Sequence, residues 1–109
     1  MDYDTAFNHL NTAIKESGFD ISEVVSGAAR GADRLGEEWA SLNHIPITRM
    51  YAEWRRFGRG AGPIRNEQMA KYGEALIALW YNKSSGTMDM INRAVKNKLQ
   101  VYIYEVIVL

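Results

Sequence analysis

The sequence predicts an α/β domain: a parallel sheet with helices on both of its faces. Three observations carry that expectation. Stretches with apolar residues at helical spacing alternate with short runs of Val, Ile and Leu, in the order helix, then strand and helix repeated, then strand. The run Glu74–Tyr81 is almost continuously apolar, as a strand covered on both faces must be. Small polar residues directly follow two of the strand runs, at 26–31 and 82–87, the strand ends at which open α/β sheets bind ligands. With 109 residues, 47% of them hydrophobic, the chain reads as one domain, 1–109, with enough apolar side chains for a core.

The first element is a helix over Asp2–Gly18, with Ala6, Phe7, Leu10, Ala13 and Ile14 as its apolar stripe and Gly18 as its stop. His9 lies off that stripe and has no second ligand at metal spacing, so it reads as solvated surface. Ile21–Ser26 is the first strand. The loop after it, Ser26-Gly27-Ala28-Ala29-Arg30-Gly31, opens a helix that runs to about Asn43. Strand, small-residue loop and helix together aim backbone N–H groups at one point, and Arg30 adds a fork suited to phosphate. An ordinary tight turn reads equally well from this loop alone. It is neither a P-loop nor a dinucleotide fingerprint, because the Lys-Ser/Thr ending and the Gly spacing are both missing. In the helix, Leu35, Trp39 and Leu42 face inward, with Glu37 and Glu38 on the other side.

Ile45–Tyr51 is the second strand. Ala52–Pro63 then reads as a long loop carrying Trp54, Phe57, Arg55, Arg56 and Arg59, whose aromatics and arginines suit a base and a phosphate. Trp54 by itself reads as a core residue. Pro63 fits the first turn of a helix over Ile64–Tyr72, and Arg65 and Asn66 stand near its start, where the dipole prefers acids; a bound anion would account for them. After the strand Glu74–Tyr81, Ser84, Ser85, Gly86 and Thr87 lead into a helix with Met88, Ile91, Ala94 and Val95 on its apolar face. N-capping explains the Ser and Thr equally well. Gln100–Leu109 is the last strand.

Composition narrows the function. Without cysteine there are no disulfides, thiolate metal sites or Cys nucleophiles. No metal and no cofactor is expected. The apolar run Ala75–Tyr81 is too short to cross a bilayer, and the acidic start is unlike a signal peptide, so the expected location is cytoplasmic, with no membrane partner. Zero net charge argues against nucleic acid as a partner. The charge is unevenly spread, however. Arg49, Arg55, Arg56, Arg59 and Arg65 cluster against Glu53 alone, while Asp2, Asp4, Glu16, Asp20 and Glu23 precede Val24 against Lys15 alone. This points to a local anionic partner.

The segments Ser26–Asp33, Ala52-Glu53-Trp54, Ala61–Asn66 with Met69, and Ser85-Gly86-Thr87 with Asp89, Met90 and Ile91 resemble the YspA-related branch of the SLOG superfamily, relatives of the LOG phosphoribohydrolases and of DprA. The resemblance covers nearly the whole chain. It implies a Rossmann-like three-layer parallel sheet, a nucleotide-like small-molecule ligand such as an ADP-ribose-like molecule or a nucleotide signal, and a homo-oligomer. Family members normally begin with a strand that this chain lacks before Asp2-Tyr3. Either the remaining strands close up, or a strand from elsewhere fills the place, or the pocket is altered. Ala28 stands where the family has a second Gly, and Met90 where LOG enzymes carry a catalytic Glu.

The resemblance implies main-chain phosphate contacts after Gly27 and Gly86, neutralised by Arg30, Arg65 and Arg59, with Asn66 and Asp33 on ribose or base. Ser26, Ala29, Gly31, Trp54, Gly62, Ser85 and Thr87 complete the expected site. Three functions follow in order. The first is a binding module that senses or sequesters a nucleotide second messenger, as phage counter-defence proteins do. The second is a LOG-like hydrolase of nucleoside monophosphates, with Asp89 or Asp33 as its carboxylate. The third is an interaction domain that has lost the pocket.

Overall fold

The structure, a computed structural model, describes residues 2–107. It is mixed α/β, with parallel strand pairs and helices. Helix α1 spans Tyr3–Ser17. The Asp2 carboxylate accepts the Thr5 N–H at 2.8 Å and caps its start, and Gly18, at φ 70°, closes its end in the left-handed conformation that glycine tolerates best. Strand β1 is Val24–Ser26, α2 is Ala32–Leu42 and β2 is Ile47–Arg49. The first two strands are thus shorter than the runs Ile21–Ser26 and Ile45–Tyr51 suggest, since only these residues find ladder partners.

The expected loop 52–63 is largely helical. Trp54–Phe57 forms a short helix, α3, Gly58–Gly60 a 3₁₀ turn, and α4 begins at Ala61 and runs to Tyr72. Three glycines within five residues hid this continuity, as glycine is a poor helix former. Trp54 is 60% exposed, not a core residue, because its helix is too short to bury a face. Strand β3 spans Ala75–Tyr81, α5 Ser85–Lys96 and β4 Gln100–Val106. Of the run expected as the last strand, Val108 and Leu109 lie outside the described residues.

Pairing does not run through one sheet. β1 pairs with β2 and β3 with β4, both in parallel, and no strand joins the pairs among the described residues. β1 and β3 each keep one edge without a strand partner among the described residues. Side chains hold the halves together. Leu10 and Ala13 of α1 pack with Leu35 of α2 and Leu79 of β3, each buried Leu contributing about 2 kcal/mol. In β3 only Ala78 and Leu79 are fully buried, so the strand is less enclosed than its sequence suggests. Leu42, expected on the inward face of α2, is 62% exposed at the helix end, past the reach of the core. His9 is not solvated surface: its ring lies 5.5 Å from Tyr104 and 6.2 Å from Tyr81, because α1 rests on the β3–β4 pair. No helix among the described residues is long and apolar enough to cross a membrane.

Candidate functional site

The loop after β1 is braced from within. Ser26, 1% exposed, donates its hydroxyl to Glu37 Oε2 at 2.6 Å and accepts the Ala28 N–H at 3.0 Å. The Ala29 N–H binds Asp33 Oδ2 at 3.2 Å. Two N–H groups that a ligand would otherwise meet are thus already used. Ala28 sits at φ 56°, in the left-handed region that costs a residue with a Cβ about 1–2 kcal/mol. Gly31, at φ 79°, starts α2 with no side-chain cap, so the first N–H groups of that helix remain open.

A cavity of about 270 Å³ lies at this end of β1 and β2. Ala28, Ala29, Arg30, Arg34, Glu37, Arg49 and Tyr51 line it. Arg49 places Nε and Nη2 each 2.8 Å from Glu37 Oε1. The Ser26 hydroxyl, then Arg49, hold the Glu37 carboxyl below the usual carboxylate range. Glu37 is therefore ionised near neutral pH and absorbs the charge of Arg49. Arg30 and Arg34 have no ion-pair partner among the described residues, and the Tyr51 ring is 66% exposed. The wall therefore keeps two uncompensated cations beside an open aromatic face.

The start of α4 ties this loop to the start of α5. Arg65 Nη1 donates to the Gly27 carbonyl at 2.6 Å, and its Nε donates to Asn66 Oδ1 at 3.2 Å. Asn66, 8% exposed, donates from Nδ2 to Asp89 Oδ2 at 2.9 Å. Asp89 also accepts Arg93 Nε at 2.9 Å, and Arg93 Nη1 lies 3.1 Å from Glu67 Oε1. Burial alone would raise the Asp89 pKa, but the hydrogen bonds from Arg93 and Asn66, with the charge of Arg93, outweigh it and bring the pKa below the usual range. Gly27 is required here: a Cβ would stand 2.7 Å from Arg65 Nη1 and 2.8 Å from Asp33 Oδ2.

The expected residues therefore divide into groups. Ser26, Gly27, Ala29, Asp33, Arg65, Asn66 and Asp89 belong to the bracing network; Ala29 and Arg30 line the cavity, and Gly31 opens the helix beside it. Ser85, Gly86 and Thr87 start α5 away from the cavity lining, and the Ser84 hydroxyl there bonds Thr87 Oγ1 at 3.0 Å instead of a backbone N–H. Trp54 leans on Gly62, where a Cβ would meet its ring at 3.5 Å, and Arg59 is exposed; neither lines the cavity. Sequence reasoning missed Arg34, Glu37, Arg49 and Tyr51. Arg34 had a readable signal, since it lies four residues after Arg30 and so on the same helical side. The contact of Glu37 with Ser26 and Arg49 had none, because it depends on the β1–β2 pairing.

Comparison with known proteins bears on this geometry. The family described as the YspA, cpYpsA-related SLOG family matches residues 1–57, which include the β1–α2 loop and every residue lining the cavity. The chain is 30% identical over 107 residues to the gene 61 protein of Mycobacterium phage D29, covering 92% of this chain and 84% of that protein. No solved structure matches the chain.

Proposed function

Since the chain belongs to the YspA, cpYpsA-related SLOG family, we propose that it binds a nucleotide-derived anion in the cavity over β1 and β2. Family membership points to a nucleotide-related function. The observation that carries the proposal to this site is the pair Arg30 and Arg34, without ion-pair partners among the described residues, beside the exposed ring of Tyr51. A phosphate fits the two guanidinium groups and the open first turn of α2, while a base stacks on Tyr51. The cavity, about 270 Å³, is just below the ~300–1,000 Å³ of small-molecule sites, so it suits one nucleotide unit, or one end of an ADP-ribose-like molecule. For a longer ligand, Ser85, Gly86 and Thr87 are the second phosphate contact we propose.

Binding without chemistry is the reading favoured here. Of the two candidate carboxylates, Asp89 is held by Arg93 and Asn66 and Asp33 accepts the Ala29 N–H, and by the resemblance Met90 stands where the LOG enzymes have their glutamate. A sensor or a sequestering protein, in a counter-defence role, is the form of binding we propose. The test is mass spectrometry of small molecules released from the purified protein on heating, beside thermal-shift curves with nucleotides, ADP-ribose and cyclic nucleotides. An intact nucleotide that co-purifies or stabilises supports a binding protein. Release of free base from a bound nucleotide supports the hydrolase instead. No ligand and no shift across the panel overturns nucleotide binding.

A further inference from the structure

Away from this cavity, the molecule exposes two apolar surfaces of opposite charge. One is a groove of about 480 Å³ between α1 and α2, lined by Tyr3, Asp4, Phe7, Asn8, Glu38 and Leu42. Its floor is aromatic and aliphatic: the Tyr3 and Phe7 rings stack at 6.1 Å, and Leu42 is 62% exposed. Its charged residues, Asp4 and Glu38, are both acidic, and neither has an ion-pair partner among the described residues. The other surface is the segment from Trp54 to Arg59. Trp54 is 60% exposed, Phe57 36%, and the Arg56 guanidinium lies 4.8 Å from the Phe57 ring centroid. Arg55 and Arg59 are exposed without ion-pair partners among the described residues.

We propose that the acid-lined groove of one copy receives the Trp54–Arg59 segment of a second copy. The argument is complementarity in both respects. Exposed rings on the segment match an apolar floor, and unpaired arginines match unpaired carboxylates. Tyr3, 48% exposed, and Leu42 leave apolar surface of the groove in contact with water, while Phe7 is partly buried against the core. Groove and segment are different surfaces, so a single such contact leaves one copy a free groove and the other a free segment, which either close on each other about a two-fold axis or take further copies. The latter grow into rings or filaments. The contact relies in part on exposed charges, so the association is concentration-dependent and sensitive to salt. The proposal concerns surfaces separate from the nucleotide cavity and stands or falls independently of it.

The test is sedimentation of the full chain over a range of concentrations, at low and high salt. The weight-average mass should rise with concentration and fall back in high salt. Two variants separate the surfaces: Trp54→Ala with Arg55→Ala on the segment, and Leu42→Ser with Glu38→Gln on the groove. All four positions are exposed, so far-UV circular dichroism should keep its wild-type shape; because Trp54 also leans on Gly62, a further variant, Arg55→Gln with Arg59→Gln, removes the segment's charges and leaves that contact intact. Each variant alone should self-associate at least about tenfold more weakly. Mixed together, each supplies the surface the other lacks, and a 1:1 complex that stops at two chains should form. A monomer at every concentration overturns the proposal, as does association that neither variant weakens. A monomer that uses Trp54 and Arg55 to hold a single-stranded oligonucleotide also overturns it.

Discussion

The guanidinium of Arg65 grips the main-chain carbonyl of Gly27 at 2.6 Å, thirty-eight residues away in sequence. This bond fixes the shape of the loop that forms the cavity wall, and it exists because Gly27 has no side chain. Gly27→Ala is therefore expected to push the guanidinium off the carbonyl and cost about 1–3 kcal/mol, the value of a charged hydrogen bond. Arg65→Gln should cost a similar amount, and the double variant little more than either single one. Urea denaturation of the three variants checks this. Additive losses would show that the two residues do not act through one contact.

Ala28 is strained at φ 56°. Ala28→Gly relieves about 1–2 kcal/mol of left-handed strain, offset by about 0.5–1 kcal/mol of extra unfolded-chain entropy. A net gain of up to about 1.5 kcal/mol is expected. It should appear as a higher urea midpoint with an unchanged slope; a loss of stability would mean that the Ala28 methyl group has a packing role.

Arg30 and Arg34 have no ion-pair partner among the described residues, so they can be removed without a structural penalty. Arg30→Ala and Arg34→Ala should leave Tm within a degree or so of wild type, yet weaken nucleotide binding by about 1.5–3 kcal/mol each. Tyr51→Ala should cost about 1–3 kcal/mol of binding. Calorimetric titration with the nucleotide found by mass spectrometry is the measurement.

Glu37 cancels the charge of Arg49 within the same wall. Glu37→Gln should therefore bind the anion more tightly, by up to about tenfold, while losing stability through its weaker bonds to Ser26 and Arg49. A variant that loses both affinity and stability would show that Glu37 shapes the cavity instead of tuning its charge.

Acid should weaken the fold in a defined direction. Glu37 and Asp89 both have folded-state pKa values below their ordinary ones: Glu37 through Ser26, then Arg49, and Asp89 through Arg93 and Asn66 working against burial. Their contribution is complete above the ordinary carboxylate range, near pH ~4, and is lost as pH falls through the lowered folded values. Tm measured from pH 7 downward should stay flat and then drop in acid. The double variant Glu37→Gln, Asp89→Asn should start lower and drop less.

Much of this architecture was legible in the chain. The stripe Leu10 and Ala13, the apolar run of β3 and the stop at Gly18 each depend on local spacing or on one special residue, and each element formed where its pattern lay. The segment 52–63 was not legible, because its glycines argue for a loop while the helix there is held by packing of Gly62 against Trp54 and of Ala61 in the interior. The separation of the strands into two pairs was also hidden, since pairing between distant segments leaves no local mark. In the site, the motif residues Ser26, Gly27, Asp33, Arg65 and Asn66 stood out, but their bonds to one another could not be read from composition. Arg49 and Tyr51 reach the cavity only because β2 lies beside β1.

The two strand pairs share no ladder, and among the described residues no main-chain hydrogen bond crosses between them. Among the described residues, side chains fasten the middle of the molecule: the leucines around Leu35 and Leu79, the hold of Arg65 on Gly27, and Tyr72 on Glu23. Amide protons within each pair are shielded by their own ladder, so exchange with deuterated solvent should proceed in two separate cooperative blocks. A ligand that grips the first loop would also be felt in the second block, with Arg65 as the mechanical coupling. In mechanical terms, the fold is two plates riveted by side chains, and the cavity sits on the lip of one plate.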